Sequence, residues 1–146
     1  EEIRRAIQRH RDKKIPVAVS FANVAASGGY WVSMSADRIF AQPETITGSI
    51  GVFAVLPTLE KAIGKIGVSA DGYRTTPLSG QPDLIGGFTP AMDSLFQTSI
   101  GGTYKDFLAL VAKSRRMPVD RVDAAAQGQV WDGGTARQLG LVDEFG

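Results

Sequence analysis

Apolar positions at the start of the chain recur at helical spacing. Ile3, Ala6, Ile7 and His10 share one face, which predicts a first helix running to about Lys13. Pro16-Val-Ala-Val-Ser-Phe21 then changes to a short β-branched run, the pattern of a strand buried in a parallel sheet. Ser27 to about Ser35 reads as a second helix and Arg38-Ile-Phe-Ala41 as the next strand, before Pro43-Glu44 turns the chain. Thr47-Gly-Ser-Ile-Gly51 leads into Val52-Phe-Ala-Val-Leu56, read as a third buried strand. Thr58 to Ile63 reads as a short helix punctuated by Gly64 and Gly67, and Val68 to Thr75 as extended.

The Pro- and Gly-rich stretch from Thr76 to Gly87 has little periodicity and reads as a loop. Thr89 caps and Pro90 opens the longest helix, whose apolar stripe runs from Met92 through Tyr104 and Phe107 to Val111. Gly101-Gly102 weakens its middle by about 1 kcal/mol per glycine relative to alanine, which predicts a kink or a close helix contact. A short helix from Pro118 to Ala126, a small strand at Gln129-Val-Trp131 and a last helical segment, Thr135 to Leu139, ended by Gly140, complete the pattern. Strands alternating with helices give an α/β class with a mainly parallel sheet and flanking helices.

The length, 146 residues, suits one α/β domain with a proper core. Apolar content of 43% with 21% charged residues is that of a globular chain. A net charge of +1 supplies no field for nucleic acid, and the basic cluster Arg4 to Lys14 reads as a solvated helix face. The first helix lacks an N-cap residue, the chain starts without methionine, and Leu141 to Gly146 offers no closing element. Residues 1–146 are therefore expected to be a single domain within a longer protein, with any targeting or anchoring segment outside them.

Chemistry concentrates at Asn23-Val-Ala-Ala-Ser-Gly-Gly-Tyr-Trp31. Ser27 stands among residues too small to crowd it, between a strand and a helix, where unpaired helix N-terminal amides can stabilise an oxyanion. It is the candidate nucleophile; the alternative is an ordinary N-cap serine. A Ser-His-Asp triad fails on inventory, because His10 is the one histidine, lies upstream and sits among charged residues, and Ala25 replaces the first glycine of an elbow motif. The absence of cysteine excludes thiolate catalysis, and no carboxylate or histidine spacing suggests a metal site or a phosphate loop. No cofactor is called for. What remains is a serine activated by a lysine whose pKa is depressed by burial. None of the six lysines is marked as that base by an apolar setting.

Three blocks add a further reading: Val24-Ala-Ala-Ser-Gly-Gly-Tyr-Trp31, Thr45-Ile-Thr-Gly-Ser-Ile-Gly-Val52, and Ala126-Gln-Gly-Gln-Val-Trp131 followed by Gly140-Leu-Val-Asp143. In type, order and spacing the chain resembles the signal peptide peptidase A (protease IV) family, best the carboxy-terminal half of its long, two-repeat bacterial form. The resemblance implies a Clp protease/crotonase-like fold (ββα-superhelix) and a serine endopeptidase that degrades cleaved signal-peptide remnants at the periplasmic face of the bacterial inner membrane. It makes Ser27 the nucleophile, the Gly28 amide an oxyanion donor, and Ser49 the residue that orients the base lysine, against a plain turn role for Ser49. Tyr30 or Trp31 would line an apolar peptide groove or simply pack the core.

Short relatives carry the lysine in a Ser-Gly-x-x-Lys segment, where this chain has Ser79-Gly-Gln-Pro-Asp83. Long forms take it from the amino-terminal repeat. The base is therefore expected outside this chain, which leaves the isolated domain inactive or nearly so. The implied partners are apolar peptides, the amino-terminal repeat of the same protein and further copies in a ring-like oligomer, with no nucleic acid. Two rival readings are an acyl-CoA-handling crotonase relative and a non-catalytic scaffold repeat.

Overall fold

The computed structural model describes residues 1–146 and divides them into two compact units, one of residues 1–52 with 104–146 and one of residues 53–103. The first unit opens with α1 (Glu2–Asp12), followed by β1 (Ala18–Ser20), β2 (Val24–Ala26), α2 (Gly28–Ser33), β3 (Arg38–Ala41) and β4 (Ile46–Gly48). Helix α3 (Glu60–Gly64) lies in the second unit, and α4 (Pro90–Arg115) starts in the second and ends in the first. The first unit closes with α5 (Val119–Ala124), β5 (Val130–Asp132), α6 (Gly133–Leu139) and β6 (Glu144–Phe145).

Two three-stranded sheets carry the first unit. In one, β1, β3 and β6 run parallel; in the other, β4 pairs parallel with β2 and antiparallel with β5. The expected α/β class with a mainly parallel sheet is thus present. Its core centres on Tyr30, Ile39, Ile50, Val111, Val122 and Leu141, all fully buried. Polar groups lock it. The Tyr30 hydroxyl donates to the Leu141 carbonyl at 2.8 Å, and burial pushes the phenol's pKa up. Asp143 accepts from the Ile39 amide at 2.8 Å and is forked by Arg115 at 2.6 and 3.1 Å.

Caps behave as their residues dictate. The Thr89 hydroxyl accepts from the Met92 amide at 3.2 Å, Asp132 caps α6 through Thr135, and Gly140 ends it at φ 82°. Helix α4 continues unbroken through Gly101-Gly102, and a Cβ at either would meet nothing within 4 Å, so no close contact requires these glycines.

The expected strand at Val52 to Leu56 is absent. Phe53 and Val55 are 86% and 77% exposed in an irregular segment, and the strand lies instead at Ile46–Gly48. An apolar run signals a strand only when a neighbouring strand accepts its amides, and nothing pairs with this one. Val68 to Thr75 likewise joins no ladder. The chain end does supply a closing element, β6, against the expectation of none. Within the second unit the Leu59 amide donates to Leu84 at 2.7 Å, and Phe88 meets Phe96 edge-on. No helix is long and apolar enough to cross a membrane.

Candidate active site

Ser27 follows β2 directly and Ser49 follows β4, and the residues before them, Ala26 and Gly48, are register partners. The two serines therefore emerge side by side at the same ends of parallel neighbours. The ladder extends one bond further, the Ser27 amide donating to the Gly48 carbonyl at 2.9 Å, while the Ser49 amide donates to Gln129 at 2.7 Å. Composition signals neither β2 nor β4, because their side chains are mostly small or polar. Their stability comes from threonines: buried Thr47 donates to the Ala25 carbonyl and Thr45 to that of Ala22, at 2.8 and 2.9 Å. Alternation of threonine with outward-facing Ile46 is the signal that could have found β4.

Both serines hold a conformation that non-glycine residues avoid, Ser27 at φ 52°, ψ −116° and Ser49 at φ 49°. The Ser27 angles are those of the first central residue of a type II′ turn, a position glycine normally fills. Holding serine there costs about 1–3 kcal/mol. Ser27 occupies the N-cap position of α2 but makes no side-chain capping bond, so capping does not account for it. It is exposed at the surface.

Beside it, the Gly28 and Gly29 amides find no acceptor in the chain; the first bond of α2 is the Trp31 amide to the Ser27 carbonyl at 2.8 Å. A Cβ at Gly28 or Gly29 would meet nothing within 4 Å, and neither has a positive φ. Internal packing therefore does not demand glycine at either position. What the missing side chains leave is open approach to two free N–H groups next to an exposed hydroxyl. That arrangement can hold a carbonyl oxygen while a nucleophile attacks its carbon.

The three sequence blocks meet here as one sheet, β2-β4-β5. Gly48, at φ 77°, lies under the Trp131 ring, where an added Cβ would stand 2.9 Å from Cδ1 and 3.1 Å from the Gln129 carbonyl. We expect Gly48→Ala to cost about 2–3 kcal/mol through backbone strain plus that clash, read as a lower urea midpoint with unchanged slope.

Tyr30 lies wholly in the core rather than along a groove. Half-buried Trp31 donates to Glu1 at 2.9 Å and packs edge-on against Phe107. The Glu1 carboxyl, hydrogen-bonded first by Arg4 and then by Trp31, is lowered to about 2. No lysine is buried and none forms an ion pair: Lys13, Lys14, Lys61, Lys65, Lys105 and Lys113 are all exposed. Asp83, at the position where the resemblance leads one to look for lysine, is tied into its own loop. It accepts from the Gly86 and Ile85 amides at 2.7 and 3.0 Å and pairs with Arg74 at 3.2 Å, bonds that hold its carboxyl below the ordinary range.

The profile of peptidase family S49 matches residues 9–146. Protease 4 of Haemophilus influenzae is 50% identical over 131 residues, covering 90% of this chain and 21% of that protein. Protease 4 of Salmonella typhi is 42% identical over 146 residues, covering 100% of this chain and 24% of that protein. The chain thus spans less than a quarter of the length of these two relatives. Among solved structures, a membrane-bound stomatin-specific protease in complex with a substrate peptide is similar at TM-score 0.51 and 15% identity, over 99% of this chain and 53% of that one. The likeness is one of fold, the Clp protease/crotonase type.

Proposed function

The chain belongs to peptidase family S49, and from that premise we propose that it supplies the nucleophile, but not the base, of a Ser-Lys endopeptidase. The observation that carries this reading is Ser27: exposed, held at positive φ, free of any capping bond and adjacent to two unengaged amides. In the whole protein the Ser27 hydroxyl oxygen attacks a peptide carbonyl carbon while a neutral lysine takes its proton. The oxyanion accepts the Gly28 N–H. Collapse expels the amine, which receives the proton from the lysine, and leaves an acyl ester on Ser27. Water then attacks the ester, giving its proton to the lysine, and the carboxylic product departs as Ser27 regains its hydrogen.

Ser49, paired with Ser27 by register, positions the lysine. Its replacement by alanine should lower kcat about 10–100-fold while moving the melting temperature by less than about 2 °C, a split that a purely structural turn would not produce. Substrates are extended apolar peptides, signal-peptide remnants, cut at the periplasmic face of the inner membrane. The lysine comes from the amino-terminal repeat of the same protein, and copies assemble into a ring.

The direct test is reaction of the full-length protein with a fluorophosphonate, followed by mapping of the adduct by mass spectrometry. An adduct on Ser27 is expected; labelling of another serine, or none, would sink the assignment. Residues 1–146 alone should show no measurable casein cleavage, and robust cleavage would mean that the base lies within them.

A further inference from the structure

At the opposite end of α2 from Ser27, about 9 Å further along the helix axis, the first unit contains a cavity of about 530 Å³. It is bounded by one face of α1, the residues after α2 and the C-terminal turn of α4. Six cationic and two anionic side chains line it, in a chain whose net charge is only +1.

The hydrogen-bonding capacity left over in this cavity is one-sided. Both oxygens of Asp37 are engaged, one by Arg11 Nε and one by the Val17 amide, each at 2.8 Å. Both oxygens of Asp143 are taken by Arg115 and the Ile39 amide. On the cationic side, the two terminal nitrogens of Arg11 have no acceptor, and Arg38 has only a loose contact with Glu144 at 3.6 Å. Lys113 and Arg116 have no acidic partner at all. The unused groups are therefore donors on four separate cations, facing one polar concavity. A single carboxylate brings one negative charge and two oxygens to these four cations, whereas a terminal phosphate brings up to about two charges and three oxygens in a compact tetrahedron. The volume falls in the range of small-ligand sites.

We infer that this cavity is a binding site for a terminal phosphate group, carried by a free phosphorylated small molecule or by a phosphatidic acid headgroup, with Lys113 and Arg116 as its principal contacts. The site is separate from the nucleophile and does not depend on the peptidase reading.

Calorimetric titration of the full-length protein at low ionic strength tests it with two probes, inorganic pyrophosphate and phosphatidylcholine vesicles containing phosphatidic acid. Saturable binding of at least one is expected. Added salt should weaken it, and the double variant Lys113→Glu/Arg116→Glu should weaken it at least about tenfold. Arg121→Glu, an exposed change outside the cavity, should leave it unchanged. Binding of pyrophosphate alone assigns a free phosphate compound, of the phosphatidic acid vesicles alone a lipid, and of both the shared terminal phosphate. Absence of saturable binding to either, or an equal loss in Arg121→Glu, overturns the assignment. Should the double reversal disturb folding, Lys113→Gln/Arg116→Gln is held to the same criterion.

Discussion

Replacing Ser27 by glycine in the full-length protein is expected to abolish peptidase turnover, by about 10⁴-fold or more, while making the domain more stable. On the proposed mechanism the activity loss follows from removal of the attacking oxygen; the free amides that remain can still bind a carbonyl but have nothing to add to it. The stability gain follows from φ 52° and ψ −116°, which glycine adopts at no steric cost. Relief of about 1–3 kcal/mol of strain is offset in part by the larger entropy of a glycine in the unfolded chain, about 0.4–1 kcal/mol. A net gain of about 1 kcal/mol should appear in denaturant titration. Ser27→Ala keeps the strain and should lose activity with no gain in stability. If glycine and alanine are equally stable at this position, the turn is not strained.

The largest loss of stability from a side chain remote from Ser27 is expected for Asp143→Ala. The change leaves Arg115, 10% exposed, without its fork and the Ile39 amide without an acceptor. Breaking such a pair from one side costs about 3–5 kcal/mol, which lowers the melting temperature by about 10 °C in a domain of this size. Burial alone would raise the Asp143 pKa; the Arg115 fork and the Ile39 amide outweigh it, and the net shift is downward. A folded pKa below the unfolded one means that the ionised pair stabilises fully above the unfolded value of about 3.9 and is lost as pH falls through the folded one. The stability difference between wild type and Asp143→Asn should therefore narrow below about pH 4 and stay constant near neutrality. A difference that persists at acid pH would show that shape, not charge, holds Asp143 in place.

Elements announced by local chemistry were legible in the sequence: the Thr89 cap, the Gly140 stop and the apolar stripe of α4 from Tyr104 to Val111. Elements defined by partners were not. Val52 to Leu56 has strand composition but no neighbour, whereas Val24–Ala26 lacks strand composition and is held by β4 through its backbone. Ser27 could be singled out from its small neighbours and its place between strand and helix. Its backbone angles could not, because local preference would put glycine at φ 52°, ψ −116° and the chain puts serine there. A break with local preference of this kind is expected where a side chain is kept for its chemistry.

The phenol of Tyr30 reaches a carbonyl 111 residues away, and β3 pairs with the final strand. During synthesis this makes the order of events one-directional. Once β4 has been made, the Ser27 amide has its Gly48 acceptor, but β5, Leu141 and Asp143, which complete the sheet and core around that turn, follow much later in the sequence. Contacts of such sequence separation form slowly, so the core beneath the Ser27 turn closes only after β6 has been made.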